Sequence, residues 1–304
     1  MRRNPSRCSL RELAGALVAV LCGAFGACGT AAHAAGFALR DDLQRDVEFA
    51  RPPLKIITML PSITETVCAL DACDRLIATD RFSNWPAEVR ALPKAGGLVD
   101  AEIEMIVRLK PDLVFLGRSQ RISSRLSELG ISSFVLEARS YADIGRTVTM
   151  IGKVLGLPDR AARLNDSVAH AVREVAGQAA PRSQAGGPTV YFEVDPGPYA
   201  AGTSSFIGEL LAMLGAHNIV TPDLGPFPKL NPEYVVRYDP QVIFISPAEA
   251  PHLKERPGWD RIRAVKAGRL CSFPPDVRDT IVRPGPRVAE GMRSMADCLK
   301  REAT

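Results

Sequence analysis

A 13-residue segment occurs twice in this chain. EMIVRLKPDLVFL spans residues 104–116 and EYVVRYDPQVIFI spans residues 233–245, with five identical positions. In each copy a short helical pattern, with apolar residues three or four apart, runs up to a proline that ends the helix, Pro111 or Pro240. The β-branched run after the proline is typical of a strand buried in a parallel sheet. Because one helix–strand unit occurs at two distant places, the sequence predicts two similar α/β lobes rather than one continuous sheet.

Residues 1–35 have the pattern of a secretory signal peptide. Four arginines precede an uncharged run over residues 13–27, which is shorter than a membrane-spanning helix requires. Ala32-His33-Ala34 then matches an A-x-A cleavage pattern. We therefore predict export to the periplasm, with lipoprotein anchoring through Cys28 as the alternative.

Charge and motifs exclude several classes of function. The 304-residue chain has a formal net charge of +4, and loss of residues 1–34 removes four Arg and one Glu, which leaves +1. A nearly neutral protein has no electrostatic basis for binding nucleic acid. The sequence has no G-x-S-x-G, H-E-x-x-H, P-loop or G-x-G-x-x-G motif. The usual signals of acyl-transfer, zinc and phosphate chemistry are therefore missing, and an exported enzyme stays as an alternative function.

Four cysteines remain after the signal segment, and an even number in an exported protein permits disulfides. Cys68 lies near the end of a predicted helix and Cys73 just past its turn, so this pair can close a short local loop. The alternative is that Cys68, Cys73, Cys271 and Cys298 are all buried thiols.

The order of helical and strand patterns divides the remaining chain. Residues 36–53 form a polar leader, 54–156 an N-terminal lobe, 157–182 a long interdomain helix and 187–304 a C-terminal lobe. This order predicts an α/β fold of two Rossmann-like lobes with central parallel sheets, joined by one rigid helix.

A local motif predicts the start of the first helix. Ser62 follows Pro61 and precedes Glu65 by three positions. This is the pattern of a capping box, so we predict Ser62 as the N-cap residue and Glu65 as its partner.

Several segments resemble the periplasmic substrate-binding proteins of ABC importers for vitamin B12, haem and iron-siderophores, with the cobalamin-binding members closest in pattern. The resemblance covers nearly all of residues 54–300. Its pieces are ITMLPSITETVCALDACDRLIATD, DRFSNWP, AEIEMIVRLKPDLVFL, the central helix, GPYAAG and NPEYVVRYDPQVIFI. It implies a binding protein without catalytic activity, a monomer that holds a ligand in the cleft between two lobes and delivers it to an ABC permease dimer in the inner membrane.

The resemblance also implies a role for the repeated segment. In this family a glutamate on the outer surface of each lobe docks onto arginines of the permease dimer, and the matching residues are Glu104 and Glu233. An exposed carboxylate can accept the bidentate fork of an arginine. The alternative is that each glutamate only occupies a first helical turn, where the helix dipole favours negative charge.

The cleft residues also follow from the resemblance. Aromatic faces with a few polar groups suit a large, flat, partly apolar ligand such as a corrin or porphyrin. The alternative is that the aromatic residues pack loops and that the arginines are solvated. The predicted ligand-binding residues are Arg81, Phe82, Trp85 and Arg118 on the N-terminal wall and Tyr199, Phe227 and Arg283 on the C-terminal wall.

The ligand itself stays open among three classes. The resemblance favours cobalamin, although the B12 members have cleft tryptophans where this chain offers Leu98, Gly117, Phe227 and Thr280. Haem requires an axial ligand, for which Tyr199 is the cleft candidate. A ferric siderophore carries negative charge that Arg81, Arg118, Arg278 and Arg283 could bind. We predict no resident cofactor and no metal site, because no histidines have metal-ligand spacing.

Overall fold

The computed structural model describes residues 36–118, 122–179 and 186–302. The predicted signal segment and Cys28 lie outside the described residues. Residues 35–304 form one compact unit. Within the described ranges, every helix is too short or too polar to cross a membrane.

The segment predicted as a polar leader folds into a β-hairpin. Strand β1 (Phe37–Arg40) pairs antiparallel with β2 (Asp46–Phe49), and the ring of Phe49 packs against the ring of Phe134 in the N-terminal core. The turn between the strands is also anchored, because Asp42 N donates to Val135 O at 2.9 Å. The hairpin therefore covers one edge of the first sheet.

The first sheet contains four parallel strands in the order β4-β3-β5-β6. Its strands are β3 (Ile56–Thr58), β4 (Leu76–Thr79), β5 (Leu113–Leu116) and β6 (Ser133–Val135). The side chains of β3, β5 and β6 are all buried, as expected for a parallel sheet covered on both faces. We call this sheet, its helices and the hairpin the N-terminal lobe.

The helices of the N-terminal lobe are α1 (Pro61–Ala69), α2 (Ile103–Leu109) and α3 (Ser123–Glu128). The capping-box prediction for α1 is wrong. The N-cap residue is Leu60, without a side-chain cap, and Pro61 is already helical. Proline is favoured at the first helical position because its missing N–H would have no partner there.

Two consecutive helices, α4 (Tyr141–Leu155) and α5 (Pro158–Ala179), connect the lobes. A true capping box between Ser140 and Asp143 begins α4. The 22 residues of α5 span about 33 Å. Ala161 near its start belongs to the N-terminal core, whereas Val172 near its end belongs to the second core, so the helix is anchored at both ends.

The second sheet repeats the topology of the first. Its strands are β7 (Thr189–Asp195), β8 (Tyr199–Ala200), β9 (His217–Asn218), β10 (Val242–Phe244) and β11 (Leu270–Cys271). The parallel strands β9, β7, β10 and β11 lie in that order, and β8 is antiparallel to β7. Counting only the parallel strands in chain order, both sheets therefore have the spatial order second, first, third, fourth. The predicted α/β fold with two similar parallel sheets is confirmed.

The helices of this C-terminal lobe are α6 (Phe206–Met213), α7 (Pro232–Tyr238), α8 (Arg263–Ala267), α9 (Pro275–Val282) and α10 (Val288–Glu302). The two copies of the repeated segment are α2 with β5 and α7 with β10. In each copy the helix leads into the third parallel strand of its sheet. Disulfides join Cys68 to Cys73 and Cys271 to Cys298. The first is the pair that the sequence favoured, and the second ties β11 to α10.

Candidate functional site

The loop after β4, residues 80–86, presents two exposed aromatic rings. Phe82 and Trp85 are 51% and 44% exposed. Buried Asp80 holds this loop: its carboxylate accepts hydrogen bonds from Phe82 N at 2.8 Å and from the backbone N and hydroxyl of Ser83. Burial raises the pKa of Asp80, although these hydrogen bonds and nearby Lys94 oppose the rise. The buried carboxylate thus holds the loop backbone in place, while the aromatic side chains of the loop stay exposed to solvent.

A second loop, residues 96–101, lies beside Phe82. Gly96 and Ala101 pair across its base, and Arg81 forms an ion pair with Asp100 at 2.5 Å. Gly96 has φ of 97°, and a side chain there would clash with Asp100 O, so only glycine allows this tight return. The tip carries Leu98, which is 40% exposed. Together the two loops form an apolar wall with a charged margin.

The C-terminal lobe presents a matching pair of exposed aromatic residues. Tyr199 in β8 is 41% exposed and Phe227 is 40% exposed. They belong to one surface, because Ala200 N donates to Pro228 O at 2.9 Å. The ammonium group of Lys229 lies 5.7 Å from the centre of the Tyr199 ring, close enough for a cation–π contact.

Both aromatic surfaces lie beyond the carboxyl ends of strands. Phe82 and Trp85 follow β4, whereas Tyr199 and Phe227 follow β7 and β9. Ligands of open parallel sheets bind at this edge, because the loops there converge. The four aromatic residues predicted from the sequence therefore occupy the expected edge of each sheet.

Arg283 connects the two lobes beside these surfaces. Its guanidinium donates to Glu65 at 2.8 Å and to Asn84 Oδ1 at 2.8 Å in the N-terminal lobe, and to Asp279 at 2.6 Å in its own lobe. It also donates to Phe82 O at 3.1 Å. We call Glu65, Asn84, Asp279 and Arg283 the Arg283 junction. The sequence predicted Arg283 as a ligand-binding residue, whereas its guanidinium is buried and bound to protein acceptors.

The junction carries an unusual carboxyl group. Burial raises the pKa of Glu65, and the nearby Arg283 and Arg287 only partly oppose that rise. Among the described residues, Glu65 Oε2 has no hydrogen-bond partner. Arg287, whose guanidinium lies 3.9 Å from Glu65, is also 4.3 Å from the centre of the Trp85 ring, so this neighbour of the junction contacts the exposed tryptophan.

Glu65 and Asp279 were not among the sequence-predicted site residues. A weak signal existed for Glu65, since it is the one charged residue in the helix sequence PSITETVCA. A charge in an otherwise uncharged helical segment calls for a buried partner, but the sequence alone does not identify which arginine supplies it.

The remaining predicted positions differ in exposure. Arg118 is exposed and donates to Asp42 O at 3.3 Å. Thr280 is 4% exposed and donates to Val277 O, so it turns inward rather than lining a wall. One group of three potential metal ligands comes together in the described ranges, Cys68, Cys73 and Glu88, but both sulfurs are in a disulfide and are not free to ligate.

Glu104 and Glu233 occupy equivalent sites. Each is the second residue of its helix, α2 or α7, and each is exposed. Both helices end at a residue in the left-handed conformation, Lys110 or Asp239. The two glutamates are therefore matched in sequence, helix position and exposure.

Comparison with known proteins gives consistent matches. Residues 56–277 match the family model described as periplasmic binding protein. The chain is 28% identical over 268 residues to an uncharacterized ABC transporter substrate-binding lipoprotein, YvrC, of Bacillus subtilis, covering 85% of this chain and 84% of that protein. It is also 28% identical to a cobalamin-binding protein of Halobacterium salinarum, covering 81% and 69% of the two chains.

Two solved structures are similar in fold. The periplasmic vitamin B12 binding protein BtuF of Vibrio cholerae superimposes with a TM-score of 0.70 at 20% identity, covering 83% of this chain and 99% of that one. The periplasmic heme-binding protein BhuT in complex with two hemes gives a TM-score of 0.72 at 20% identity, covering 82% and 99%. At this identity the similarity extends to the fold and not to the ligand.

Proposed function

This chain belongs to the periplasmic binding protein family, and from that premise we propose that it captures cobalamin or a related corrinoid between its two lobes for an ABC importer. The relatives are substrate-binding transport proteins rather than enzymes. In this proposal the exported protein acts in the periplasm as a monomer and passes its ligand to a permease dimer in the inner membrane.

The observation that carries the ligand proposal is the set of four exposed aromatic rings at the carboxyl edges of the two sheets. Phe82, Trp85, Tyr199 and Phe227 are each at least 40% exposed. Aromatic side chains bury 150–250 Å² each in cores and interfaces, so about half of that area left in water favours a bound apolar surface. A corrin ring with its apolar edges fits such walls.

The charges argue against a strongly anionic ligand. Arg283 is committed to Glu65 and Asp279, and Arg81 is paired with Asp100. Of the four arginines considered for siderophore binding, Arg278 donates to the carbonyl of Val194 and Arg118 is exposed. Because two of these four guanidinium groups are already paired with carboxylates, a ferric siderophore is a weaker candidate than cobalamin.

Haem is the second candidate, and Tyr199 supports it. Its ring is exposed at the C-terminal surface beside Lys229. A tyrosine oxygen can serve as an axial ligand of haem iron, and a neighbouring ammonium group can pair with a haem propionate.

Delivery is proposed to depend on Glu104 and Glu233. One exposed carboxylate on each of two similar lobes can address two identical permease subunits. We expect lobe movement to be small, because α5 is anchored in both cores and the Arg283 junction joins the lobes at a second place.

The deciding experiment is a titration of purified residues 36–304 with cyanocobalamin, haemin and ferric siderophores. The chain has two tryptophans, of which Trp259 is fully buried and Trp85 is exposed. A Trp259→Phe variant therefore leaves Trp85 as the fluorescent reporter of the N-terminal wall. Saturable one-to-one quenching by cyanocobalamin supports the proposal, and failure to bind cyanocobalamin while binding haemin would reject it in favour of haem.

Two tyrosine variants sharpen the distinction. Tyr199→Phe keeps the ring but removes the phenolic oxygen, so it should abolish a tyrosine-ligated haem spectrum and leave cobalamin binding almost unchanged. Tyr199→Ala should weaken either ligand. Tyr238→Ala is the matched control, because Tyr238 is 45% exposed but lies on α7, and it should leave ligand affinity unchanged.

A further inference from the structure

We propose that Arg108 and Arg237 form a second, cationic docking point, so that each lobe offers the permease a carboxylate and a guanidinium together. This inference rests on the proposed importer function and extends the docking contact beyond the two glutamates. Its occupant is a pair of identical membrane subunits, each with a basic group for the glutamate and a carboxylate for the arginine.

The starting observation is which residues are identical in the two copies of the repeated segment. Pro111 and Pro240 follow helix-ending residues with φ of 48° and 45°. Phe115 and Phe244 are buried core residues. These identities follow from the fold. The glutamate and the arginine are the two charged identities, and both side chains are exposed in both lobes.

Neither arginine has an internal role in the described part of the chain. The side chains of Arg108 and Arg237 make no ion pair and no hydrogen bond with the described residues. The same holds for the carboxylates of Glu104 and Glu233. The spacing of four residues permits an intrahelical Glu–Arg pair, yet it forms in neither helix. By contrast, neighbouring Arg263 is paired with Asp239 at 2.7 Å. The repeated charges are therefore available to a partner.

The geometry is the same in both lobes. Each helix has seven residues, with the glutamate second and the arginine sixth. Residues four apart lie on one helix face, separated by about 6 Å along the axis. Each lobe thus presents a negative group followed by a positive group in the same direction along its helix.

This arrangement specifies the partner more narrowly than two carboxylates do. A subunit with a basic and an acidic group about 6 Å apart can meet both charges only when the helix runs in one direction. A partner that offers basic groups alone would meet the arginine with like charge. The arginine therefore provides orientation and discrimination between permeases.

The helix dipole is the competing explanation. It favours an acidic residue near the start and a basic residue near the end of any helix. This effect would act on the stability of the protein and not on permease binding. Measuring both quantities on the same variants therefore separates the two explanations.

The test measures binding of the mature chain to the permease–ATPase complex of its own organism, purified in lipid nanodiscs. The double variant Arg108→Glu/Arg237→Glu should bind at least about 30-fold more weakly, because like charges would face each other. Arg108→Gln/Arg237→Gln should weaken binding by about 5-fold, within the range for exposed charge pairs. The effect should diminish at high salt.

The matched control is Arg163→Glu/Arg293→Glu. These arginines are also exposed, and they lie on α5 and α10 with no ion pair to the described residues. The control makes the same change of net charge and should bind like the parent. The melting temperature and ligand affinity of the Arg108/Arg237 variants should also match those of the parent.

The outcomes are distinguishable. If the parent binds, Glu104→Ala/Glu233→Ala does not, and the arginine reversal binds normally, the arginine proposal is wrong and the proposed function stands. The arginine proposal is equally wrong if arginine reversal and the control weaken binding to the same extent, or if reversal acts only through lower stability. If the parent fails to bind the permease, the proposed function is rejected together with this inference.

Discussion

Arg283 donates a 2.8 Å hydrogen bond to Glu65, which precedes it by 218 residues, and both side chains are buried. The same guanidinium binds Phe82 O and Asn84 Oδ1 in the loop that carries the exposed Phe82 and Trp85 rings. The C-terminal lobe is therefore attached directly to the N-terminal aromatic wall. Helices α4 and α5 also connect the lobes, and the start of α4 is held to the C-terminal lobe by the hydrogen bond from Tyr141 N to Glu209. Movement of the lobes must therefore bend these helices and break the contacts of Arg283 or rotate about them.

Arg283→Ala should destabilise the protein by about 3–5 kcal/mol, because the buried Glu65 carboxylate loses its hydrogen-bonded cationic partner and keeps only Arg287 at 3.9 Å. Urea unfolding at neutral pH measures this free energy. Arg90→Ala is the control. Arg90 is exposed and donates a single hydrogen bond to Asn84 O, in the loop that also binds Arg283. This substitution should lower the free energy of unfolding by no more than about 1 kcal/mol. Equal effects of the two substitutions would contradict a special role for the junction.

Glu65→Gln should change how stability depends on pH. Because burial raises the pKa of Glu65 above its unfolded value, the folded state binds the proton more tightly. Its contribution to stability is then largest below the unfolded pKa of about 4.3 and is lost as pH rises through the folded pKa. The stability of the parent relative to Glu65→Gln should therefore increase as pH falls from 7 towards 4.

Urea unfolding of both proteins at a series of pH values provides this comparison. The glutamine keeps an acceptor for Arg283 and removes the buried charge. The opposite trend, with the parent gaining relative stability as pH rises, would mean that the ion pair with Arg283 outweighs the desolvation of Glu65.

Asp80→Ala should weaken binding of cyanocobalamin about 10-fold, because the loop that carries Phe82 and Trp85 would no longer be held in place. The substitution removes the acceptor of Phe82 N and of both Ser83 donors, and the unsatisfied groups should lower stability by about 1–3 kcal/mol. Asp80→Asn keeps one acceptor oxygen and should retain more affinity. Unchanged affinity in folded Asp80→Ala would show that the loop needs no such support.

The repeated segment and the long helix were predictable because their signals are local. The alternation of helix, proline and apolar run in residues 104–116 and 233–245 predicts one unit used twice, and the matching strand orders of the two sheets agree. Likewise, α5 has no internal helix-breaking residue between Pro158 and Gly177. Periodicity and turn residues act over a few positions, so the sequence displays them directly.

The role of Glu65 was not predictable for the opposite reason. Locally, Ser62 and Glu65 have the spacing of a capping box, but the helix begins at Pro61 and Glu65 instead pairs with Arg283. The hairpin of residues 37–49 was not predicted for the same reason, because it is stabilised by contacts with a distant sheet edge at Val135. Tertiary contacts override a local pattern when pairing a buried charge or covering a sheet edge changes the folding free energy by more than a helix cap does.

Removing the Cys271–Cys298 disulfide should destabilise the protein more than removing Cys68–Cys73. The two bridges close loops with sequence separations of 27 and 5, and the chain-entropy relation gives about 3.5 and about 2 kcal/mol respectively. Burial acts in the same direction, since Cys271 and Cys298 are fully buried whereas the other pair is partly exposed. Thermal unfolding of the paired serine variants tests the order, with mass spectrometry after mild reduction showing whether Cys68–Cys73 opens first. A larger loss from the shorter loop would mean that local packing around α1, rather than unfolded-chain entropy, determines the contribution of each bridge.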